Sequence, residues 1–316
     1  MRGALHPDYW LPWNMTWSEM QVASGYELTE IFRAPYGAIP FLILRLSWES
    51  CVGIPAGHLF GYASGPVIPN VLQHISGGFA SFYTFSWIYG LIILWEKPWL
   101  WNVKESWIGY PFHTVDRSVW WYYMIETSFY YSLLLSAFFD VKRSDFWELI
   151  IHHFVTIGLL SVSWTINFIR IGTLVLISHD VADILLEAGK LFRYSNCHKT
   201  LTDVFFTLFM LSWILTRLIY YPFVVIRSAI FEAANCIHPD YKVYDTYQTP
   251  YVPRILIILL AVLLILHIFW TITIAKIVIR TITGGEVKDI RSDDEGGEEE
   301  QKIHKMKAKS RTRKVD

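Results

Sequence analysis

Seven stretches of this 316-residue chain are apolar over about 20 residues each, the length an α-helix needs to cross a hydrocarbon layer. They lie at 36–54, 76–96, 118–139, 146–165, 168–188, 204–227 and 254–279, the first weakest and the last strongest. In lipid a segment must satisfy its own backbone N–H and C=O groups, so such runs fold as helices. The residues are 53% hydrophobic and 17% aromatic, without the alternation of polar and apolar faces that a soluble domain of this length would show. The expectation is an all-α polytopic membrane protein, a seven-transmembrane helix bundle.

The segments between the runs suit membrane surfaces. Residues 1–35 are polar and carry Trp10, Trp13 and Trp17, and residues 97–117 carry Trp99, Trp101, Trp107 and Tyr110. Such aromatic residues collect at bilayer interfaces. Residues 55–75 are rich in Gly and Pro and have no Lys or Arg. Residues 140–145 form a charged turn with Lys142 and Arg143, residues 189–203 a polar loop, and residues 228–253 a second polar loop. In the first run Arg45 and Glu49 are spaced to pair. The third run is heavy in Trp and Tyr, which reads as aromatic packing. The sixth holds Arg217, with Pro222 towards its end. Residues 283–316 are an acidic block followed by a basic block with almost no apolar content, expected to be a disordered tail. Ser292 precedes Asp293, Asp294 and Glu295, a phosphorylation pattern for acidophilic kinases.

A formal net charge of −1 favours no charged partner, and nothing points to nucleic acid. The three cysteines, Cys51, Cys197 and Cys236, stand far apart, so neither a disulfide framework nor a cysteine zinc site is suggested. The N-terminus lacks the basic and apolar regions of a cleavable signal, so the first run is expected to act as the targeting signal. Arg280, Lys288 and Arg291 after the last run favour a cytosolic tail. Seven crossings then put the N-terminus in the lumen, where Asn14, in the triplet Asn14-Met15-Thr16, is a glycosylation acceptor.

Chemistry concentrates at residues 145–190, where two runs lie back to back. The first carries His152 and His153; the second carries His179, Asp180, Asp183 and Glu187. Ionisable groups cost roughly 2.5–3.5 kcal/mol each within a span, so they face a bundle interior or a wet cavity. Asp180, Asp183 and Glu187 share one helical face. His152 lies about 9 Å in from Phe146 and Asp183 about 10 Å before Lys190, so both sets sit at similar depth in the cytosolic half. The bundle is therefore expected to enclose an intramembrane active-site cavity.

Three uses of such a cluster are open. An imidazole acts in acyl transfer, as base or nucleophile, while a carboxylate fixes its tautomer. Alternatively, three His and one Asp hold zinc for intramembrane amide hydrolysis. In the third, the polar groups only bind helices together. The basic residues Lys142, Arg143, Lys190, Arg193 and Lys199 are candidate contacts for an anionic head group, and Arg170 and Arg217 need neutralising partners.

The stretches HHFVT at 152–156, NFIRIGT at 167–173 and HDVADILLEAGK at 179–190 resemble the Lag1 motif of the ceramide synthases, acyl-transferring members of the TRAM-LAG1-CLN8 (TLC) group. The likeness continues through LWEKPW at 94–99, YYMIETSFYYSLL at 122–134, DVKRSDF at 140–146 and TRLIYYPF at 216–223. The group's translocon-associated, non-enzymatic members lack the His pair.

The resemblance implies a TLC-type catalytic domain over 36–282, in a multi-pass protein of the endoplasmic reticulum. The implied reaction passes a fatty acyl group from acyl-CoA to the amine of a sphingoid base, giving (dihydro)ceramide through an acyl-histidine. It implies no cofactor beyond acyl-CoA as co-substrate; a homo- or heterodimer stays open. The implied catalytic residues are His152, His153, Asp180 and Asp183, with His152 as acyl acceptor. His179, Arg170, Arg217, Lys142 and Arg143 are candidate substrate contacts. Many animal members carry a homeobox-like segment between the first two runs, which this chain lacks; members without it are active. A ceramidase-like zinc hydrolase and a non-enzymatic TLC protein are the alternatives.

Overall fold

The structure, a computed structural model, describes residues 6–12, 14–48, 50–51, 78–140, 144–194, 199–238 and 240–283. Lys142, Arg143, Glu49, Ser292, the tail beyond 283 and the side chains of Arg193 and Lys199 fall outside that set. The regular elements among the described residues are all helices, with no strand among them.

A short helix α1 (Trp17–Ser24) opens the fold. Its start is a capping box: Glu19 N–H donates to the Thr16 hydroxyl at 3.3 Å, and Thr16 N–H donates to the Glu19 carboxylate at 2.8 Å. Gly25, at φ 78°, ends it in the left-handed conformation that glycine adopts freely. The bundle follows: α2 (Ala34–Trp48), α3 (Gly78–Leu94), α4 (Arg117–Ala137), α5 (Phe146–Thr165) and α6 (Ile169–Tyr194). A long rod comes next, built from α7 (Lys199–Trp213), a π-helical segment (Ile214–Ile226) and α8 (Arg227–Ile237). The last helix is α9 (Val252–Ile282).

Among the described residues, three helical stretches are long and apolar enough to cross a membrane: Phe146–Thr165, Thr200–Ile237 and Val252–Ile279. Helices α4 and α6, of 21 and 26 residues, are as long but carry more polar groups. Helix α6 is central, touching α3, α4, α5, α7 and the π segment; α2 packs on α4, and α9 on α5 and the π segment.

One end of the bundle is stitched by long-range hydrogen bonds. Val115 N–H donates to the Ser24 carbonyl at 3.1 Å, the Tyr26 hydroxyl to the Trp164 carbonyl at 2.7 Å, and Tyr251 N–H to the Tyr9 carbonyl at 2.8 Å. Asn167 donates to the carbonyls of Pro111 and His113. At the other end Arg45 pairs with Asp140 at 2.7 Å. Asp140, just beyond α4, is thus a partner of Arg45; the expected partner Glu49 lies outside the described residues.

One expectation about the sixth run changes. The span 204–227 continues as one rod to Ile237, so the first part of the expected loop 228–253 is helix. Pro222 lies within the rod, as expected. Proline lacks an N–H and its ring crowds the carbonyl one turn back, and the wider π turn absorbs both faults. The aromatic reading of the third run holds for Tyr122, Tyr123 and Phe129, all buried in the core.

Candidate functional site

Helices α3, α4, α5, α6, α7, the π segment and α9 line a pocket of ≈ 250 Å³. Its walls include His152 and His153 from α5, Asp183 from α6, Arg217 from the π segment and Trp270 from α9, with Tyr130 from α4. The rest is largely apolar, with Leu133, Leu185, Leu186, Phe206 and Phe209 among the lining residues. The Lys190–Glu187 ion pair, at 2.7 Å, also lines it. The His pair and two residues of the acidic face, Asp183 and Glu187, therefore line the same cavity, and Asp180 does not.

The two imidazoles lie 5.6 Å apart between ring centres, and Tyr130 stands 6.4 Å from each. Trp270 presents an edge to His152 at 5.4 Å and donates its indole N–H to Asp145 at 3.1 Å. Nδ1 of both His152 and His153 is buried with no hydrogen-bond partner. Among the described residues no hydrogen bond joins Asp180 or Asp183 to either ring. The expected carboxylate that fixes the imidazole tautomer is thus not in contact, because each Asp faces a different group.

Asp183 faces Arg217. The guanidinium donates to Asp183 at 3.0 Å and to the His179 carbonyl at 2.9 Å, and lies 3.2 Å from His267 Nε2. Arg217 is 3% exposed, and this network supplies the neutralisation that the sequence demanded. His179 turns away from the pair: its Nδ1 lies 2.7 Å from the Val175 carbonyl, and its ring packs on Tyr221 and His267. The π segment makes this possible by burying Arg217, Tyr221 and Val225 together.

Asp180 is fully buried and faces Glu126 of α4. Glu126 accepts from the Ser86 hydroxyl of α3. Glu126 and His267 were not singled out in the sequence, although each is an ionisable residue inside an apolar run. That same signal could have found both.

The remaining candidates lie elsewhere. Arg170 is at the stitched end, donating to the carbonyls of Glu105 and Ile108 and stacked on Trp99 at 4.7 Å, so it does not reach the cavity. Asn14 is exposed at the start of the α1 segment. A zinc site needs three or four converging ligands. Among the described residues no group of three His, Cys, Asp or Glu side chains is placed to hold a metal ion. Between Asp183 and His267, a cationic guanidinium already occupies the place a metal would take.

Residues 74–276 match the profile of the TLC domain, the TRAM_LAG1_CLN8 family. Ceramide synthase hyl-1 of Caenorhabditis elegans is 48% identical over 311 residues, covering 91% of this chain and 83% of that protein. Ceramide synthase hyl-2 of the same organism is 36% identical, covering 98% and 97%. Human ceramide synthase 3 is 41% identical, covering 91% and 86%. With two-thirds of its length in the domain and these relatives aligned nearly end to end, the chain belongs to the TLC-domain family, within its ceramide synthase branch.

Proposed function

We propose that this protein is a ceramide synthase, an acyltransferase that joins a fatty acyl group from acyl-CoA to the amine of a sphingoid base. The observation that carries the reading is the placement of His152 and His153 on the wall of a largely apolar cavity inside the bundle. Such a cavity suits a fatty chain and excludes the water that would hydrolyse a reactive acyl group.

In the route we favour, His152 attacks the thioester carbonyl. The C–S bond breaks, the ring N–H proton passes to the leaving sulfur so that CoA departs as the thiol, and the acyl group rests on the neutral imidazole. The amine then attacks, the C–N bond to the imidazole breaks, and the amine's proton passes to the freed ring. His153 and Tyr130, beside the reacting ring, are placed to orient it. Asp183 and Arg217 form a neutral polar wall, so the cavity gains polarity without an uncompensated charge.

We read the chain as crossing seven times. The N-terminal segment, the 95–116 connection, the α5–α6 turn and the segment before α9 meet at one end of the bundle. We place that end in the lumen of the endoplasmic reticulum and the Lys190 end of the cavity at the cytosol, where acyl-CoA is supplied.

The test is an assay of purified protein with acyl-CoAs of several lengths and sphinganine. CoA release that depends on the base, with an amide product, is expected. Release that ignores the base would overturn the reading. Loss of activity with a chelator and its return with zinc would favour the hydrolase instead.

A further inference from the structure

The imidazole of His152 lacks the usual means of being held in place. In a catalytic triad, a carboxylate bonded to the far ring nitrogen sets the orientation of the histidine. Here Nδ1 of His152 is buried with no hydrogen-bond partner. Asp180 faces Glu126, and Asp183 faces Arg217. The outer torsion of a histidine side chain is broad, so packing has to fix the ring. A nucleophile must stand about 3–3.5 Å from the carbon it attacks, with its lone pair aimed at it, so a ring left free to turn spends little time in the reactive pose.

Three rings stand beside His152, and that of Trp270 is the nearest. Its centre lies 5.4 Å away with the planes at 81°, against 5.6 Å for His153 and 6.4 Å for Tyr130. This is the edge-to-face arrangement in which such rings attract. The indole is tied down as well. Its Nε1–H donates to Asp145 Oδ2 at 3.1 Å, and Asp145 is 4% exposed. Trp270 also packs on the small cluster of Ala182, Phe209 and Trp213. Asp145 is the residue from which α5 starts, and His152 follows it by seven positions. Seven residues make two turns, about 10.5 Å along the same face. Trp270 spans those two turns. Its anchor and the reacting ring belong to one helix, so their separation is set by α5 itself and not by how α5 and α9 pack.

We propose that Trp270 is a positioning residue for His152, an indole clamp anchored by Asp145 that holds the imidazole in the orientation for attack on the thioester. The assignment rests on the acyl-transfer reading and names what stands in place of the missing carboxylate. An indole suits a cavity that must stay dry. It restrains the ring by contact, adds no charge beside a reactive acyl group, and keeps its one polar atom turned to Asp145.

Two measurements on the purified full-length protein test this, and one of them needs no turnover. Diethyl pyrocarbonate modifies imidazole nitrogens directly, and fragment-ion mass spectrometry counts the adducts on His152 and His153 separately. Trp270→Phe keeps a ring but loses the N–H. It should lower the ratio of His152 to His153 modification several-fold, with His153 as the internal control. An unchanged or raised ratio would overturn the clamp. In the assay with acyl-CoA and sphinganine, Trp270→Phe and Asp145→Ala should each lower kcat about tenfold with KM for acyl-CoA unchanged, since a misplacement of about 1 Å can cost up to about 100-fold. The double variant should lose little more than either single one, because both break the same contact. Asp145→Asn keeps an acceptor oxygen and should recover part of what Asp145→Ala loses. A rise in KM with kcat intact would make Trp270 a cavity wall only and sink the proposal. Multiplied losses in the double variant would remove Asp145 as the anchor and overturn the clamp as stated. Should the wild type transfer no acyl group, the reaction reading falls, and the modification ratio still decides the clamp.

Discussion

Arg217 brings a full charge into the helical bundle and leaves only 3% of its surface exposed. Its tie to Asp183 is the side-chain ion pair that makes such burial tolerable. Removing one partner of a buried pair strands the other, at a cost of about 3–5 kcal/mol. Arg217→Met should therefore lower the melting temperature by roughly 10 °C in detergent, and Arg217→Met with Asp183→Leu should lower it less than Arg217→Met alone. Additive losses from the two single variants would show that the pair does not couple. The His pair makes a chemical prediction. Acyl-CoA alone should release a burst of CoA approaching one per active site and leave a protein heavier by one acyl group. His152→Ala should abolish both. Should His153→Ala abolish them while His152→Ala does not, the roles are reversed; normal turnover without burst or adduct would mean direct transfer. These residues were legible in the sequence because ionisable groups in apolar runs advertise themselves. Glu126 sent the same signal but stood in a run so rich in Trp and Tyr that packing seemed to account for it. The pairing of Arg217 with Asp183 was not legible, since it joins residues 34 apart in sequence through the fold.

At the scale of elements, the helical runs were readable from apolar length, and the expected boundaries of α5 coincide with those observed. The rod of α7, the π segment and α8 was not. The polar residues after 227 look like a stop, yet packing against α6 and α9 carries the helix through. This changes what a substitution of residues 228–253 means, because it replaces α8 as well as a loop. Beside α8 lies a smaller cavity of ≈ 50 Å³, lined by Val225, Ala229, Leu256 and Leu260. Exchanging 228–253 for the segment of a relative with another acyl preference should shift the product chain length, measured by mass spectrometry of the ceramides formed. An unchanged profile in an active chimera would place chain selection elsewhere in the bundle.

For the whole molecule, the stitched end sets both topology and acid sensitivity. If that end is lumenal, Asn14 carries a glycan in cells; glycosidase treatment should speed the migration of wild type and leave Asn14→Gln unaffected. Co-migration of untreated wild type and variant would refute it. Beneath the same surface His113 is 5% exposed, and burial, helped by the charge of Arg170, holds its imidazole down to about 4. The unfolded value is about 6.5. The unfolded chain thus takes up the proton first as pH falls. The contribution of His113 is full above about 6.5, declines as pH falls towards 4 and changes no further below that. Its full size is about 3 kcal/mol. Wild type should lose more thermal stability than His113→Phe between those pH values; equal losses would place the acid sensitivity elsewhere. The bond from Tyr251 N–H to the Tyr9 carbonyl, with the two rings stacked 5.5 Å apart, joins the first turn of the described chain to the start of its last helix. On the ribosome Tyr9 is made long before Tyr251. The N-terminal segment must therefore wait, unsealed, until the final span has emerged and been inserted. A chain cut short before Tyr251 has no donor for the Tyr9 carbonyl, so that seam stays open however well the other helices have packed.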